Sequence, residues 1–521
     1  MSFPSYTFLC FAALLLIAYY LIPGRFQWLL LLGASYVFYL WTGTEYLFFI
    51  LFTTVTTYVS TVTMGKRLEA QNAYLKEHKS ELTKEDRKAY KAKVKSGNRI
   101  WMIACLVLNF GVLFFCKGCL IEPLHTAVQS GRLSFLSVGL PMGISFYMFQ
   151  SMGYVLDVYR GTAKAERNPL KLALFVAYFP QLVQGPISKF GQLAPSLYAP
   201  HAFDGKQVSF GLQRMLWGYF KKLVIADRIA PAVMALRGPE YTGVSFLVLT
   251  VFYAVQIYGD FTGGIDITIG MSQALGIQLP ENFIRPFFSK SIAEYWRRWH
   301  RTLGEWMKDY IFYPISVSGP MRKLSTKARK RFPKFGKRLP VYVATVATWF
   351  ATGIWHGFSP NFIVWGMLNC AVIIASEELS PLYAKFHARF GWKEKRWYGR
   401  FEMVRMFVLM NLIRACDLFP DVGEYFRRIG SIFTTFNFHI LWDGTLLNLG
   451  LTGLDYSILA AGVLVLFCVS LAQEKGSVRE RLWNGPVWVR YALTFGLLLA
   501  VLLMGSYGIG YDAGNFIYNQ F

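Results

Sequence analysis

The sequence predicts an all-α polytopic membrane protein, a single membrane domain over residues 1–521. Three observations carry that prediction. Hydrophobic residues make up 54% of the chain, and the mean hydropathy is +0.34. Apolar runs of membrane-spanning length recur from end to end, where a soluble chain of this length would divide into domains joined by polar linkers. The basic residues behind a net charge of +24 gather in blocks at Lys66–Arg99, Arg285–Lys308, Arg322–Arg338, Lys385–Arg405 and Lys475–Arg490. Cytoplasmic loops beside anionic lipid have that pattern under the positive-inside rule, so membrane lipid and not nucleic acid is the expected partner of these blocks.

The elements follow in order. Tyr6–Ile22 has neither a basic stretch before it nor a small-residue cleavage site, so a retained first span is expected and not a signal peptide. Gln27–Trp41 and Tyr46–Val62 are the second and third spans. The segment 64–99 carries both signs of charge and reads as a helical excursion in the cytoplasm or on the membrane surface. Ile100–Cys116 and Leu133–Val155 return to apolar composition.

Between residues 135 and 310 the texture changes: Gly and Pro interrupt "GLPMGISFYMFQSMGYVLDVYRG", "FPQLVQGPISKF" and "YGDFTGGIDITIGMSQALG". Broken backbone at membrane depth survives only where protein buries it or where it lines a wet cavity. The stretch 135–375 is therefore the expected catalytic core, with Phe246–Ile257, Val341–Trp355 and Phe362–Ala375 as its later spans. Residues 380–521 hold more ordinary spans: Phe407–Leu418, which includes Arg414 and Asp417, then Ile458–Leu471 and Tyr491–Met504. Between them Pro420–Tyr456 is an exported loop long enough to touch a partner.

Several of these runs are shorter than the roughly 20 residues of a straight spanning helix, and tilt or burial inside a bundle accommodates them. The signs of the loops agree. Three spans precede the first basic block, which places the N-terminus outside, and the last span carries the C-terminus outside as well. Seven cysteines, mostly within apolar runs, read as small packing residues. "CKGC" at 116–119 has metal or redox spacing, but no second Cys or His pair stands near it, and no metal site is expected.

Ionisable groups inside a membrane are costly, and each is a functional candidate. His356 lies in "YVATVATWFATGIWHGFSPNFIVWG", where no Lys, Arg, Asp or Glu occurs from Val341 to Gly366. It is either a satisfied core histidine or a base beside a ligand, with Trp355 and Gly357 suiting a tight aromatic-walled spot. A buried neutral imidazole can take the proton of an attacking hydroxyl as acyl transfer begins.

His300 lies in "EYWRRWHRTLGEWMKDY" among Arg297, Arg298, Arg301 and Trp299. One reading is an interfacial helix whose basic face meets phosphates. The other is a helix that binds an anionic donor and aims His300 at its thioester, with Arg297 three residues from His300 and four from Arg301 on a shared face. Asp260 and Asp266 in "YGDFTGGIDITIG" are expected to shape the cavity by pairing with Arg297 or Arg298. There is no Walker loop, GxSxG elbow or HExxH pair. Nor are there the paired broken halves of a transporter.

Taken together, "GISFYMFQSMGYVLDVYRG", "FPQLVQGPI", "YGDFTGGIDITIG", "ENFIRPFFSKSIAEYWRRWHRTLGEWMKDYIFYP", "WHGFSPNFIVWG" and the terminal "GNFIYNQF" resemble the membrane-bound O-acyltransferase (MBOAT) family. The likeness is greatest to its bacterial branch of alginate O-acetyltransferases and teichoic-acid D-alanyltransferases. The resemblance implies about eleven transmembrane helices, with re-entrant and interfacial helices, around a central tunnel. It matches His356 to the family's catalytic histidine in WHG and His300 to the second histidine in RWH. Arg297, Arg298, Arg301, Trp299 and Trp355 become the candidate donor contacts.

The resemblance also implies no permanently bound cofactor and a cytoplasmic thioester donor, acetyl-CoA or an acyl carrier. It places the chain in the bacterial cell membrane, with an exported esterase-like partner and a polysaccharide acceptor outside. The chain departs from the family at "FYPISVSGPMRK" and at Gly264, where an aromatic is common. Three functions stay open: O-acetylation of a cell-surface polysaccharide, D-alanyl transfer from a carrier protein to teichoic acid, and non-enzymatic transport.

Overall fold

The computed structural model describes residues 1–118, 141–508 and 511. Cys119, the start of the run Leu133–Val155 and the terminal "GNFIYNQF" lie outside the described residues. The described chain is helical, and it gathers into two compact units: Met1–Gly211 with Thr268–Pro280, and Leu212–Ile267 with Glu281–Phe521.

The first unit begins with α1 (Tyr6–Leu21), α2 (Gln27–Leu40), α3 (Leu47–Glu77) and α4 (Lys84–Gly118). The charged segment 64–99 is thus the solvent end of a helical hairpin, in which α3 and α4 continue past their apolar parts and turn between them. After α5 (Ile144–Arg160) the helices shorten to α6 (Pro169–Ala177), α7 (Phe179–Gln184) and α8 (Phe190–Leu197). Three of these four begin at a Gly or Pro, such as Gly143 with φ 68° before α5 and Pro180 in the first turn of α7, and α8 carries Pro195 inside it. Buried side chains satisfy the freed carbonyls: Gln150 donates to Phe175 O at 2.7 Å and Thr268 donates to Pro180 O at 2.7 Å. The central break expected from Gly and Pro is present.

The second unit takes in the end of α9 (Gly205–Tyr219), a wide π turn (Phe220–Ala226), α10 (Asp227–Ala235) and α11 (Val244–Ala274) as far as Ile267. Then come α12 (Ile292–Arg298), α13 (Arg301–Met307), α14 (Tyr313–Ser316), α15 (Gly319–Arg331), α16 (Pro333–His356), α17 (Pro360–Glu378) and α18 (Ser380–Phe390). The unit closes with α19 (Arg396–Arg414), α20 (Val422–Ser431), α21 (Gly453–Ala472), α22 (Val478–Asn484) and α23 (Val487–Met504).

Glycines decide the closest crossings. A Cβ on Gly218 would lie 2.6 Å from Gly263 O, and one on Gly263 would lie 2.9 Å from Gly218 O, so α9 and α11 meet backbone to backbone. The same holds for α16 and α17, where a Cβ on Gly366 would lie 2.5 Å from Trp349 O. Much of "YGDFTGGIDITIG" is therefore a packing device.

The aspartates of that motif have other partners than those expected. Asp260 receives Lys222 at 2.6 Å, and Asp266 receives Lys221 at 2.5 Å and Arg214 at 2.9 Å. Lys222 also meets Asp227 at 2.8 Å, and Arg214 meets Glu281 at 2.5 Å. The expected pairing with Arg297 or Arg298 does not occur, because the π turn sets two consecutive lysines against α11 while Arg298 pairs with its own helix neighbour Glu294 at 2.6 Å.

Among the described residues, six helices are long and apolar enough to cross a membrane: those spanning Thr44–Glu77, Lys84–Lys117, Val244–Ala274, Pro360–Glu378, Gly453–Lys475 and Val487–Met504. On α21 and α23 large apolar side chains such as Leu464, Phe467 and Leu503 are exposed. Contiguous apolar surface of that kind belongs against lipid. The chain is a multi-pass membrane protein.

Candidate functional site

Both candidate histidines lie in the second unit, and a break in the helix sets the first of them. Helical spacing predicted one continuous helix through "EYWRRWHRT", but the structure ends α12 at Arg298 and restarts at Arg301. His300 stands between them with φ 45°, a left-handed conformation that costs a non-glycine residue about 1–2 kcal/mol and persists only where its surroundings fix it. Asn282 does the fixing. Its main-chain carbonyl accepts Arg301 N–H at 3.0 Å, and its side-chain Oδ1 accepts Thr302 N–H at 3.2 Å and the Thr302 hydroxyl at 2.9 Å. Asn282 thus caps α13 from outside the helix and holds the chain turned. The shared-face spacing of Arg297, His300 and Arg301 does not survive this break.

The same contact sets the tautomer of His300. Because Thr302 N–H can only donate, Asn282 presents its oxygen, and His300 Nδ1, 3.1 Å from that oxygen, must carry the proton. In the neutral ring Nε2 then bears the lone pair. Burial first, and the nearby Arg414 guanidinium second, push the imidazole's pKa well below its ordinary value. A neutral ring protonated at Nδ1 accepts at Nε2. Polarising a thioester carbonyl needs a donor, and this ring offers an acceptor instead.

Rings enclose His300 on several sides: Phe261 edge-on at 5.0 Å, Phe283 at 6.4 Å and Trp355 at 6.1 Å between ring centres. Trp355 links the two histidines, since its ring lies 4.7 Å from that of His356. His356 is the last residue of α16. It packs against Trp365 at 4.8 Å and Phe362 at 6.3 Å, both from α17. Behind Trp365 stand Trp349 and Trp296, and Trp296 Nε1 donates to Asn369 at 3.2 Å. The expected aromatic wall around His356 is present. Its place at a helix C-terminus adds a feature that charge-free composition did not reveal: the helix dipole favours a cation there, by roughly 0.3–1 kcal/mol.

The arginines divide. Arg298 is held by Glu294, and Arg301 lies 3.6 Å from Glu305, whereas Arg297 is exposed and meets no acid among the described residues. Trp299 is buried, stacked on Tyr295 at 5.7 Å. Sequence reasoning missed Asn282 and the two lysines Lys221 and Lys222. The signal for the lysines was on the page, as a charged pair inside the apolar "GYFKKLVIA".

Comparison with known proteins agrees with the resemblance. The membrane-bound O-acyltransferase family model matches residues 166–328 and 330–416, which include both histidines. The chain is 35% identical over 376 residues to a probable alginate O-acetylase of Azotobacter vinelandii, covering 70% of this chain and 66% of that protein, just under two thirds of its length. A peptidoglycan O-acetyltransferase of Helicobacter pylori is 26% identical, with 66% of this chain and 71% of that protein covered. A teichoic acid D-alanyltransferase of Bacillus subtilis is 25% identical, with 59% and 75% covered.

Proposed function

This chain belongs to the membrane-bound O-acyltransferase family, and from that premise we propose that it transfers an acetyl group from a cytoplasmic thioester, acetyl-CoA, toward a hydroxyl of a cell-surface polysaccharide outside the cell membrane. The observation that carries the reading is the pair of histidines joined through Trp355, one at a helix C-terminus and one held as a proton acceptor by Asn282. The name of the alginate O-acetylase, the most identical of the three relatives above, favours acetyl over D-alanyl.

In this reading His356 takes the hydroxyl proton as the oxygen attacks the thioester carbon. The C–O bond forms, the C–S bond breaks, and the proton passes from His356 to the departing thiolate, so the imidazole returns to its starting state. His300 accepts a hydrogen bond at Nε2 from the bound reactant and orients it. Hydrolysis of the thioester competes in the presence of water, and the surrounding rings exclude it. The ester so formed is on the first acceptor, and an exported esterase-like partner passes the acetyl group from that acceptor to the polymer hydroxyl.

Proteoliposomes loaded with radiolabelled acetyl-CoA and supplied with external polysaccharide test the proposal. Ester-linked label on the polymer is the expected result, with the exported partner added where needed. Label that appears only from a D-alanyl carrier protein would replace acetate with D-alanine, and transport of solute without any covalent product would overturn the reading.

The donor's phosphates need a cation, and Arg297 is the one of the three arginines without an acid partner among the described residues. Arg297→Ala is expected to raise KM for acetyl-CoA by roughly tenfold with kcat unchanged, as loss of one charge-assisted contact of about 1.4 kcal/mol would. Arg298→Ala and Arg301→Ala are expected to change it less. Equal KM in all three variants and the parent would remove this arginine from donor binding.

The orientation read from the basic blocks is part of the proposal. Single cysteines engineered at exposed positions of the segment 432–447 are expected to react with an impermeant maleimide added outside intact cells, and those in α15 only after permeabilisation. The reverse pattern would invert the topology.

A further inference from the structure

Arg414 and Asp417, the polar pair that interrupts a late apolar run, are left unused by the chemistry above. In the second unit they stand behind the His300 turn. Arg414 is only 5% exposed. Its guanidinium carbon lies 4.2 Å from the centre of the Trp299 ring, and an N–H donates to the Tyr295 hydroxyl at 3.3 Å. The Asp417 carboxylate is 4.0 Å away. Tyr295 and Trp299 are themselves nearly parallel, 10° apart. One guanidinium therefore lies over the Trp299 ring and donates to the Tyr295 hydroxyl at the end of α12, immediately before the left-handed residue.

Burying a guanidinium costs several kcal/mol in lost hydration, and an apolar side chain would fill the space without that cost. Packing alone does not call for a cation here. A flat, fixed cation over an indole, however, sets the ring's angle in a way that an aliphatic chain does not. Asn282 holds the turn from its far side, through Arg301 and Thr302. Trp299 is the residue that enters the turn, and its own contacts include Tyr295 and Arg414.

We propose that Arg414 is a positioning residue for His300: by fixing Trp299 it holds the entrance of the left-handed turn, and so keeps the imidazole facing Trp355. The inference rests on the reading of His300 as a group that orients the reactant. Arg414 itself touches no reacting atom.

The test is a double-mutant cycle on purified protein, with transfer measured per folded molecule. Arg414→Lys keeps the charge but loses the flat face, and is expected to lower kcat by roughly tenfold with KM within about twofold. In a His300→Ala background the same change is expected to cost nothing further. Arg414→Met with Asp417→Asn removes both charges, so that no unpaired carboxylate stays buried, and is expected to lower kcat likewise. If neither variant folds, Tyr295→Phe deletes only the oxygen that receives Arg414, and a kcat loss of roughly threefold supports the proposal.

Full kcat in the folded variants overturns the inference while the His300 reading stands. An equal loss with and without His300 overturns it too, by showing that Arg414 acts elsewhere. If His300→Ala alone leaves kcat unchanged, the reading of His300 fails and takes the inference with it.

Discussion

Replacing His356 by alanine is expected to abolish acyl transfer, a fall of roughly 10²–10⁴ in kcat, the size of a general acid–base contribution. The variant should remain folded and inserted. His356 is the terminal residue of α16, and the crossing of α16 with α17 is made by Gly353 and Gly366 and not by the imidazole. Truncation there opens space beside Trp365 and Phe362 without stranding a buried charge. The check is ester formation by purified protein whose melting profile matches the parent's. Near-normal transfer by such a sample would end the assignment of His356 as the base.

Lys222→Met is expected to destabilise the protein by roughly 3–5 kcal/mol, with catalysis lost only as folded protein is lost. Lys222 is 1% exposed and lies between two carboxylates, Asp260 at 2.6 Å and Asp227 at 2.8 Å. Deleting its charge removes the ammonium 2.6 Å from Asp260, which is itself only 2% exposed. Adding Asp260→Asn to Lys222→Met is expected to restore part of the stability, because an amide costs far less to bury than a carboxylate that has lost a cation. Thermal unfolding in detergent measures both. A single variant as stable as the parent would show that the pair contributes little.

The two histidines were legible for different reasons. His356 is a lone imidazole in a long charge-free run, so composition alone exposes it. His300 was legible as a residue but not as a geometry. Its neighbours have helical spacing, and the break that turns it comes from Asn282, eighteen residues earlier, through hydrogen bonds that no local pattern encodes. The same holds for Asp260 and Asp266. Their motif is conspicuous, yet their partners Lys222 and Lys221 sit 38 and 45 residues upstream, on a π turn whose extra residue per turn is invisible in the sequence. The spans were legible where apolar composition is continuous, as in α3, α4, α21 and α23. They were harder to read where polar side chains cap broken helices, because those polar groups dilute the signal that a lipid-facing helix would give.

α16 is one helix of 24 residues, from Pro333 to His356, with the basic block Arg322–Arg338 folded back at its start. From Arg338 to His356 that rod measures roughly 27 Å at about 1.5 Å per residue. The hydrocarbon layer of a bilayer is about 30 Å thick. A ruler of that length keeps the imidazole and the cationic hairpin apart, whatever the side chains around them do. Under the proposed function, with the hairpin anchored among headgroups, that length would set the elevation of the base and the distance the acyl carbon has to cover to meet it. On that proposal, crossing would be a matter of where the atoms are bolted, with no swinging part required to carry the group over.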